Sequence, residues 1–512
     1  MTERPLAESA EAIRRAVAPN GENGVPLGML PLHHARSGRI TAVTFGETEM
    51  SWAALEASAN RRARMLAGLG VAQGDLITVA LPNGLDFYET TFALWKLGAT
   101  PNVVSSKLPD HELGEIVTLV DPRLVLGPDP SRLPGRQVLP AGTPIDPSLS
   151  AEGLPEVIAP YWKAMTSGGS TGRPKVIVDH APGLFDPGAP ALMQQVGDVI
   201  LNPGPLYHNA PFIGAHWGLF AGGHVIEMGR FDAGEALRAL SRHKVQWVNL
   251  VPTMMNRIWR LPLEERQAAD LSNLRVMFHM AASCPAWLKE AWIAWLGPER
   301  VFELYGGTER QGATVISGVE WLERKGSVGR VQAGSSVRVL RDDGSPCDPG
   351  EVGEIYFLPD AGRNATYHYI GAEAKIAGDW ESLGDLGHLD SDGYLYISDR
   401  RTDLIVSGGA NIYPAEVEAA LEAHPEVRSA VVIGRPHEDL GQQVHAIIER
   451  SPGATVTEEA LLRFVADRLV RYKTPRSLEF VDHPLRDDAG KVRRVAYRRD
   501  PSAASDPKAD RR

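Results

Sequence analysis

The chain carries little cysteine. Cys284 and Cys347 are the two among 512 residues, and no Cys-x-x-Cys spacing occurs. That argues against a disulfide framework and a zinc-thiolate centre, and it fits a reducing compartment, so a cytoplasmic location is expected. Cationic excess is lacking too. Lys+Arg 53 against Asp+Glu 64 gives a formal charge of -11, whereas a sequence-independent nucleic-acid binder needs a basic face. No nucleic-acid partner is expected. No run approaches the roughly 18 consecutive apolar residues of a membrane-spanning helix. Residues 1–18 mix Glu3, Glu8 and Glu11 with Arg4, Arg14 and Arg15 and lack the apolar core of a secretory signal. Residues 501–512 contain only Pro, Ser, Ala, Asp, Lys and Arg. Such a segment cannot offset its ordering entropy and is expected to be a disordered tail.

What is present is ordinary for a folded globular chain, 43% hydrophobic and 23% charged. At roughly 150 residues per domain the length allows about three structural units. Residues 52–69 read as a helix, 75–81 as a short buried strand and 87–97 as a helix ended by Gly98. The alternation returns at 224–228, 235–243 and 245–250, then at 274–280 and 286–296. Strand and helix in turn argue for parallel sheets with helices on their faces. After about Gly326 the character changes. Segments 337–340, 353–358 and 393–397 are short strands between Asp, Gly and Pro turns, which reads as an antiparallel β unit. From Asp399 the pattern is mixed α+β, with helices at 414–423 and 458–470 and a strand at 429–434. The expected architecture is α/β: a large multi-layer N-terminal domain over 1–400, with parallel-type sheets plus the β unit, and a small mobile α+β domain over 401–500.

One loop carries the clearest chemistry. Thr166-Ser167-Gly168-Gly169-Ser170-Thr171-Gly172 puts four hydroxyls and three glycines in seven consecutive residues, followed by Arg173-Pro174-Lys175. Glycines let backbone N–H groups approach an anion, and the hydroxyls add donors. Lys175 supplies a point charge for phosphate. No Gly-Lys-Ser/Thr follows, so this is not a Walker A loop. A flexible Gly/Ser linker would need neither the Pro-Lys pair nor the apolar runs on both sides, and the loop is read as a polyphosphate cradle.

This loop resembles the signature of the adenylate-forming superfamily, which contains acyl-CoA synthetases, firefly luciferase and peptide-synthetase adenylation domains. Further motifs follow in that family's order. Leu81-Pro82-Asn83-Gly84 with Lys96-Leu97-Gly98-Ala99 resembles an early segment. Tyr305-Gly306-Gly307-Thr308-Glu309 is similar to the family's Tyr-Gly-x-Thr-Glu, and Gly384-Asp385-Leu386-Gly387 to its ribose-binding segment. Asp399-Arg400, with Gly408-Gly409-Ala410-Asn411-Ile412-Tyr413-Pro414, resembles the inter-domain segment, and Gly490-Lys491-Val492 the catalytic-lysine loop. The resemblance spans residues 51–498.

It implies ATP, Mg2+ and CoA, and a role for each motif. Glu309 is the expected magnesium carboxylate, Thr308 a donor to phosphate or adenylate, and Tyr305 a purine stacker with Gly306 and Gly307 beside it. Asp385 is expected on the ribose hydroxyls with Arg400 as a further donor; without the motif order both would read as a turn carboxylate and a surface cation. Gly408 and Gly409 are expected to let the pantetheine arm approach. Lys491 is the expected catalytic cation for attack of a carboxylate on the α-phosphate; by itself it would read as one lysine of a basic stretch.

Pro205-Leu206-Tyr207-His208-Asn209 resembles the segment lining the acid pocket, with His208 as the gating side chain, although a lone histidine is more often structural. No acidic residue occurs between Leu201 and Val225, so a substrate ammonium would find no partner there. A plain hydrophobic, fatty, aromatic or ring-containing acid is expected. Ala281, Ala282, Gly306 and Gly307 leave room for it, and Met254, Met255 and Met280 offer an adaptable lining. Trp287, Trp292 and Trp295 are expected in the core. Three departures stand out: Val176 where Gly is usual, Thr402 at the expected hinge, and Asp487-Asp488, two carboxylates poised to restrain Lys491 at rest. The expected reaction makes an acyl-adenylate and then an acyl-CoA. A carrier protein or an amine as acceptor, and a non-catalytic nucleotide binder, remain as alternatives.

Overall fold

The computed structural model describes residues 23–168, 174–488, 490–492 and 494–498. Residues 1–18 and 501–512, and Gly169, Ser170, Thr171, Gly172 and Arg173 of the cradle, lie outside the described residues.

The helix Trp52–Gly68 shows how the local pattern builds the body. Ser51 caps Trp52–Gly68 by accepting from the Ala54 amide at 3.1 Å. Leu55, Ala59, Ala63 and Leu66 then fall on one buried face. The apolar strand that follows, Leu76–Val79, lies in a sheet of seven among the described residues. Its order is Tyr367–Ile370, Pro174–Asp179, Ala164–Gly168, Thr100–Val103, Leu76–Val79, Val125–Gly127 and Val138–Pro140. The strands from Ala164–Gly168 onward pair in parallel, and Pro174–Asp179 folds back antiparallel as a hairpin.

The second large sheet is parallel at one end, where Thr41–Phe45, His224–Glu227, Val199–Asn202, Trp247–Leu250, Val276–His279 and Val301–Gly306 lie side by side. The expected β unit is not separate from it. After Gly306 the chain turns at Gly307 to Arg310 and returns antiparallel as Ala313–Ser317. Ser327–Val331, Leu395–Arg400, Trp380–Leu389, Gly353–Pro359 and Ser335–Leu340 then continue the same sheet. The edge of Val301–Gly306 was open to a hairpin partner, which strand-by-strand reading of the sequence does not reveal.

A further sheet holds Ile405–Ser407, Ala410–Ile412, Val427–His437, Gly441–Arg450 and Ser477–Val481, with Pro414–Glu422 and Glu458–Ala466 packed on it. The second of these helices is shorter than expected. The Arg468 and Leu469 amides both turn to the Val465 carbonyl at 2.9 Å, which closes the helix, and Leu469 packs on the core from outside it. The Trp-rich helix Ala286–Leu296 is core, as expected: Trp292 is fully buried, with Trp287 and Trp295 against the same cluster. Among the described residues no helix is long and apolar enough to cross a membrane.

Candidate active site

Thr166, Ser167 and Gly168 close the strand Ala164–Gly168, and Lys175 leaves the hairpin opposite Ser167. The described ends of the cradle therefore lie side by side on two paired antiparallel strands of the seven-stranded sheet. The Asn102 amide donates to Thr166 Oγ1 at 3.0 Å and fixes that side chain. Lys175 Nζ donates to Glu309 Oε1 at 3.2 Å and to the Tyr369 hydroxyl at 2.9 Å, which itself donates to the same Oε1 at 2.6 Å. The ammonium also lies 4.0 Å from the Tyr369 ring centroid. Burial and the Glu309 charge hold the Tyr369 hydroxyl far above the usual tyrosine value.

Glu309 is buried in the turn after Val301–Gly306, with half-buried Thr308 beside it. Its backbone is pinned by Thr366 Oγ1, which donates to the Glu309 carbonyl at 2.8 Å. A Cβ at Gly307 would come 2.7 Å from both Glu309 Oε2 and Leu383 Cδ1, so a larger residue there would displace the Glu309 carboxylate or the Leu383 side chain. The magnesium expectation fits this donor set. Magnesium takes one or two carboxylates and fills its shell with water and phosphate, and Glu309 is one buried carboxylate whose contacts among the described residues fall on Oε1. No group of three or more His, Cys, Asp or Glu offers an all-protein cage among the described residues.

Asp385 and Arg400, fifteen residues apart in the chain, are register partners on adjacent antiparallel strands. Arg400 Nε stands 3.5 Å from Asp385 Oδ1. Tyr305 donates its hydroxyl to Asp385 Oδ2 at 2.7 Å, and burial with the Asp385 charge raises its pKa well above normal. The phenol thus orients the carboxylate, while Arg400 remains largely exposed.

Lys491 arrives from the other body. The Asp487 amide donates to the Lys491 carbonyl at 2.9 Å, Gly490 N to the Asp487 carbonyl at 2.9 Å, and Lys491 N to Asp487 Oδ1 at 2.8 Å. This turn docks on the segment after Trp247–Leu250: a Cβ on Gly490 would lie 2.7 Å from Thr253 Oγ1. The Lys491 side chain keeps solvent access. Desolvation by the protein around it and then the Arg400 charge push its pKa below the ordinary lysine value, while Asp487 and Glu309 oppose them. Lys491 therefore stands within the electrostatic reach of Arg400 and Glu309. Of the two carboxylates expected to restrain Lys491, Asp487 acts on its charge and Asp488 turns elsewhere. Asp488 pairs with Lys107 across the cleft at 3.2 Å, and Asp487 shapes the turn.

His208 stands at the residue before the helix Asn209–Phe220 without a side-chain capping bond, half-buried, with its ring 4.5 Å from that of Tyr207. Gly408 and Gly409 take φ of 55° and 82° in the two-residue turn between Ile405–Ser407 and Ala410–Ile412, a geometry that favours glycine. A Cβ on Gly408 would meet only Leu440 within 4 Å, and one on Gly409 nothing. The structure thus brings together Lys175, Glu309, Tyr305, Asp385, Arg400 and Lys491, and leaves this glycine pair on the second body. Ala281 holds φ of 75° just after the strand Val276–His279, a conformation costly for a residue with a Cβ.

Sequence reasoning missed three groups. Tyr369 shares the Glu309 oxygen with Lys175; its only sequence signal is the alternation Tyr367-His368-Tyr369. Asn83 donates to the Gly204 carbonyl at 2.9 Å and accepts from Leu206 N at 2.9 Å, tying the Pro-Asn-Gly motif to the acid-pocket segment. Glu227 lies behind that segment, fully buried, and accepts from Asn83 at 2.7 Å, Asn202 at 2.8 Å and the Tyr88 hydroxyl. Three donors favour its charged form, but desolvation outweighs them and pushes its pKa up to about 8. It stands just past the stretch without acidic residues, and its oxygens are already engaged.

Residues 32–359 match the AMP-binding enzyme family, and residues 416–491 match the AMP-binding enzyme C-terminal domain. The chain belongs to this family, as its motif order implied. It is 32% identical to feruloyl-CoA synthase from an Amycolatopsis species, over 92% of this chain and 98% of that one. It is also similar to the solved o-succinylbenzoate CoA synthetase from Bacillus subtilis. In complex with its acyl-adenylate intermediate, that structure shows 25% identity and a TM-score of 0.79, covering 93% of this chain and 98% of the other. With ATP and magnesium ion the figures are 26%, 0.77, 92% and 98%.

Proposed function

We propose that this chain is an ATP-dependent acid–CoA ligase whose two half-reactions use the residues gathered around Glu309. Acid and ATP give acyl-adenylate and pyrophosphate, and the CoA thiol then displaces AMP. The observation that carries the reading is the meeting of Lys175, Glu309, the Tyr305–Asp385 pair and Lys491 at one cleft, on a chain of this family. Thr166, Ser167, Gly168, Gly169, Ser170, Thr171 and Gly172 cradle the phosphates, with Thr308 as a further donor. Asp385, oriented by Tyr305, takes the ribose hydroxyls with Arg400. Glu309 would hold Mg2+, which would supply charge to neutralise the phosphates. Glu309 currently holds Lys175, so an arriving polyphosphate offers that ammonium a stronger partner. Lys491 brings a positive charge to where carboxylate and phosphate, both anions, must meet.

The domains are read as 1–400 and 401–500, jointed near Thr402, with Gly408 and Gly409 serving the thiol in a second arrangement of the smaller one. The substrate is read as an aromatic or ring-containing acid without an ammonium group. Support comes from the stretch free of acidic side chains, from the engaged state of Glu227, and from feruloyl-CoA synthase and o-succinylbenzoate CoA synthetase as relatives. His208 gates that pocket. The two free thiols and the CoA chemistry favour a cytoplasmic site of action.

Mass spectrometry with ATP, Mg2+, CoA and a panel of aromatic, ring-containing and fatty acids tests the reading. Acyl-CoA that disappears with Lys491→Ala supports it. Adenylate without acyl-CoA moves the acceptor to a carrier protein or amine, and no acid-dependent pyrophosphate with any acid refutes the adenylation.

A further inference from the structure

The contact between the two bodies is polar and incompletely filled. Beside it lies a cavity of about 580 Å³, lined by Arg257, Trp259 and Trp287 on one side and Pro425 and Arg428 on the other. None of the apolar clusters draws residues from both sides of Arg400. One side chain bridges this contact with several bonds. Arg260 follows the helix Pro252–Trp259, and its Nε donates to Asn256 Oδ1 of that helix at 2.9 Å. Its two terminal nitrogens reach the other body. Nη1 donates to the Pro425 carbonyl at 2.5 Å and to Ser451 Oγ at 3.1 Å. Nη2 donates to the Val427 carbonyl at 2.6 Å, with the Glu422 and His424 carbonyls at 3.4 and 3.5 Å. The Glu422 carbonyl ends the helix Pro414–Glu422, the negative end of its dipole, where a cation is favoured; His424 and Pro425 follow that helix, and Val427 opens the strand Val427–His437.

The anchored helix end is linked to the lysine loop. Glu418 and Glu422, on that helix, accept from Arg486 Nη2 at 3.3 and 3.4 Å. Arg486 Nε donates to Ser429 Oγ at 3.1 Å, and Nη1 to the Gly490 carbonyl at 3.4 Å. Lys491 is the next residue. The chain of contacts runs from Arg260 through the helix end, its two carboxylates and Arg486 to the backbone that carries Lys491. Arg486 is almost wholly enclosed, and the charges of Glu422 and Glu418 hold its guanidinium firmly protonated.

We propose that Arg260 is a positioning residue for adenylation: it fastens the smaller body in the pose in which Lys491 faces Glu309 and Arg400. The inference rests on the adenylating role of Lys491. A planar guanidinium satisfies one acceptor on its own helix and several across the contact at once, which a single ammonium cannot do. Lysine at this position is therefore expected to restore little.

The test separates the half-reactions in the full-length protein. Acid-dependent ATP–pyrophosphate exchange reports adenylation, and consumption of a synthetic acyl-adenylate by CoA reports thioester formation. Arg260→Ala should lower kcat of the exchange by about tenfold or more with KM for ATP unchanged, while the CoA step keeps its wild-type rate. Arg260→Lys should resemble Arg260→Ala. In a Lys491→Ala background, Arg260→Ala should add little, because the group it positions is gone. Circular dichroism on each variant confirms the fold. Wild-type exchange in Arg260→Ala overturns the proposal, as do equal losses in both half-reactions or full additivity with Lys491→Ala. If Lys491→Ala itself exchanges normally, the role of Lys491 fails first and the proposal falls with it. If Lys491→Ala is inactive and Arg260→Ala is not, the positioning role alone is lost.

Discussion

At the scale of single residues, charge and burial set the expectations. Burial and then the Arg400 charge make the Lys491 ammonium give up its proton more readily than a free lysine, and the Asp487 and Glu309 charges oppose them. Lys491→Ala should reduce acid-dependent pyrophosphate release by about 100–1000-fold, read by exchange kinetics, with ATP affinity by calorimetry unchanged. Tyr305→Phe removes the hydroxyl that orients Asp385. It should raise KM for ATP several-fold while leaving the acid's KM alone; an unaltered KM for ATP would show that Asp385 is fixed by its strand alone.

Glu227 gives a pH signature. In the unfolded chain it titrates near 4.5, and in the folded chain near 8. Between those values the folded protein keeps a proton that the unfolded chain has released. Stability contributed by this group is therefore full below about 4.5, falls as pH rises, and is lost once pH passes about 8. Glu227→Gln removes the titration, and its melting temperature should vary less with pH across that window than the wild type's. Parallel profiles for the two proteins would count against the assignment.

At the scale of elements, the lysine loop meets the helix Pro252–Trp259 of the other body through one glycine. Gly490 has φ of 75°, and an added Cβ would sit 2.7 Å from Thr253 Oγ1. Gly490→Ala should lower the adenylation rate by about tenfold or more, through misplacement of the next residue, with little change in melting temperature. Thr253→Ala removes the nearest obstructing atom but not the left-handed backbone. The double variant should recover part of the rate if space matters and none if conformation alone does, and kcat measured for the three proteins separates these.

The same element scale explains what the sequence made legible. The cradle, the Tyr305 to Glu309 turn and the Gly490-Lys491 pair are each runs of neighbours, and a run is visible in one dimension. Tyr369, Asn83 with Glu227, and Arg260 act through partners more than fifty residues away. No local spacing marks them, because their meaning comes from register and docking. The sheet that the β unit joins is hidden for the same reason: a hairpin return after Gly306 is local, but which strand edge it joins is not.

At the scale of the whole molecule, two bodies with separate apolar clusters meet through hydrogen bonds and ion pairs. The Lys107–Asp488 pair is exposed on both sides and should matter little, since such pairs contribute about 0–1 kcal/mol. Arg260 carries the denser set of bonds. Calorimetry of the full chain should resolve two unfolding transitions, the smaller belonging to the residues after Arg400. A single cooperative transition would mean that the polar contact couples the bodies more tightly than its chemistry suggests.

The sequence by itself determined the family, the ordered motifs, the α/β body with a smaller α+β unit, and most of the residues now gathered at the cleft. Composition and local pattern suffice there, because phosphate cradles, caps and turns are short-range devices. Only the tertiary structure decided that Asp385 faces Arg400, that Asp488 turns to Lys107 rather than to Lys491, that Glu227 is buried with its donors, and that Arg260 joins the two bodies. Those outcomes depend on which strands pair and which surfaces dock, and the energy that fixes them is spread over contacts distant in the chain.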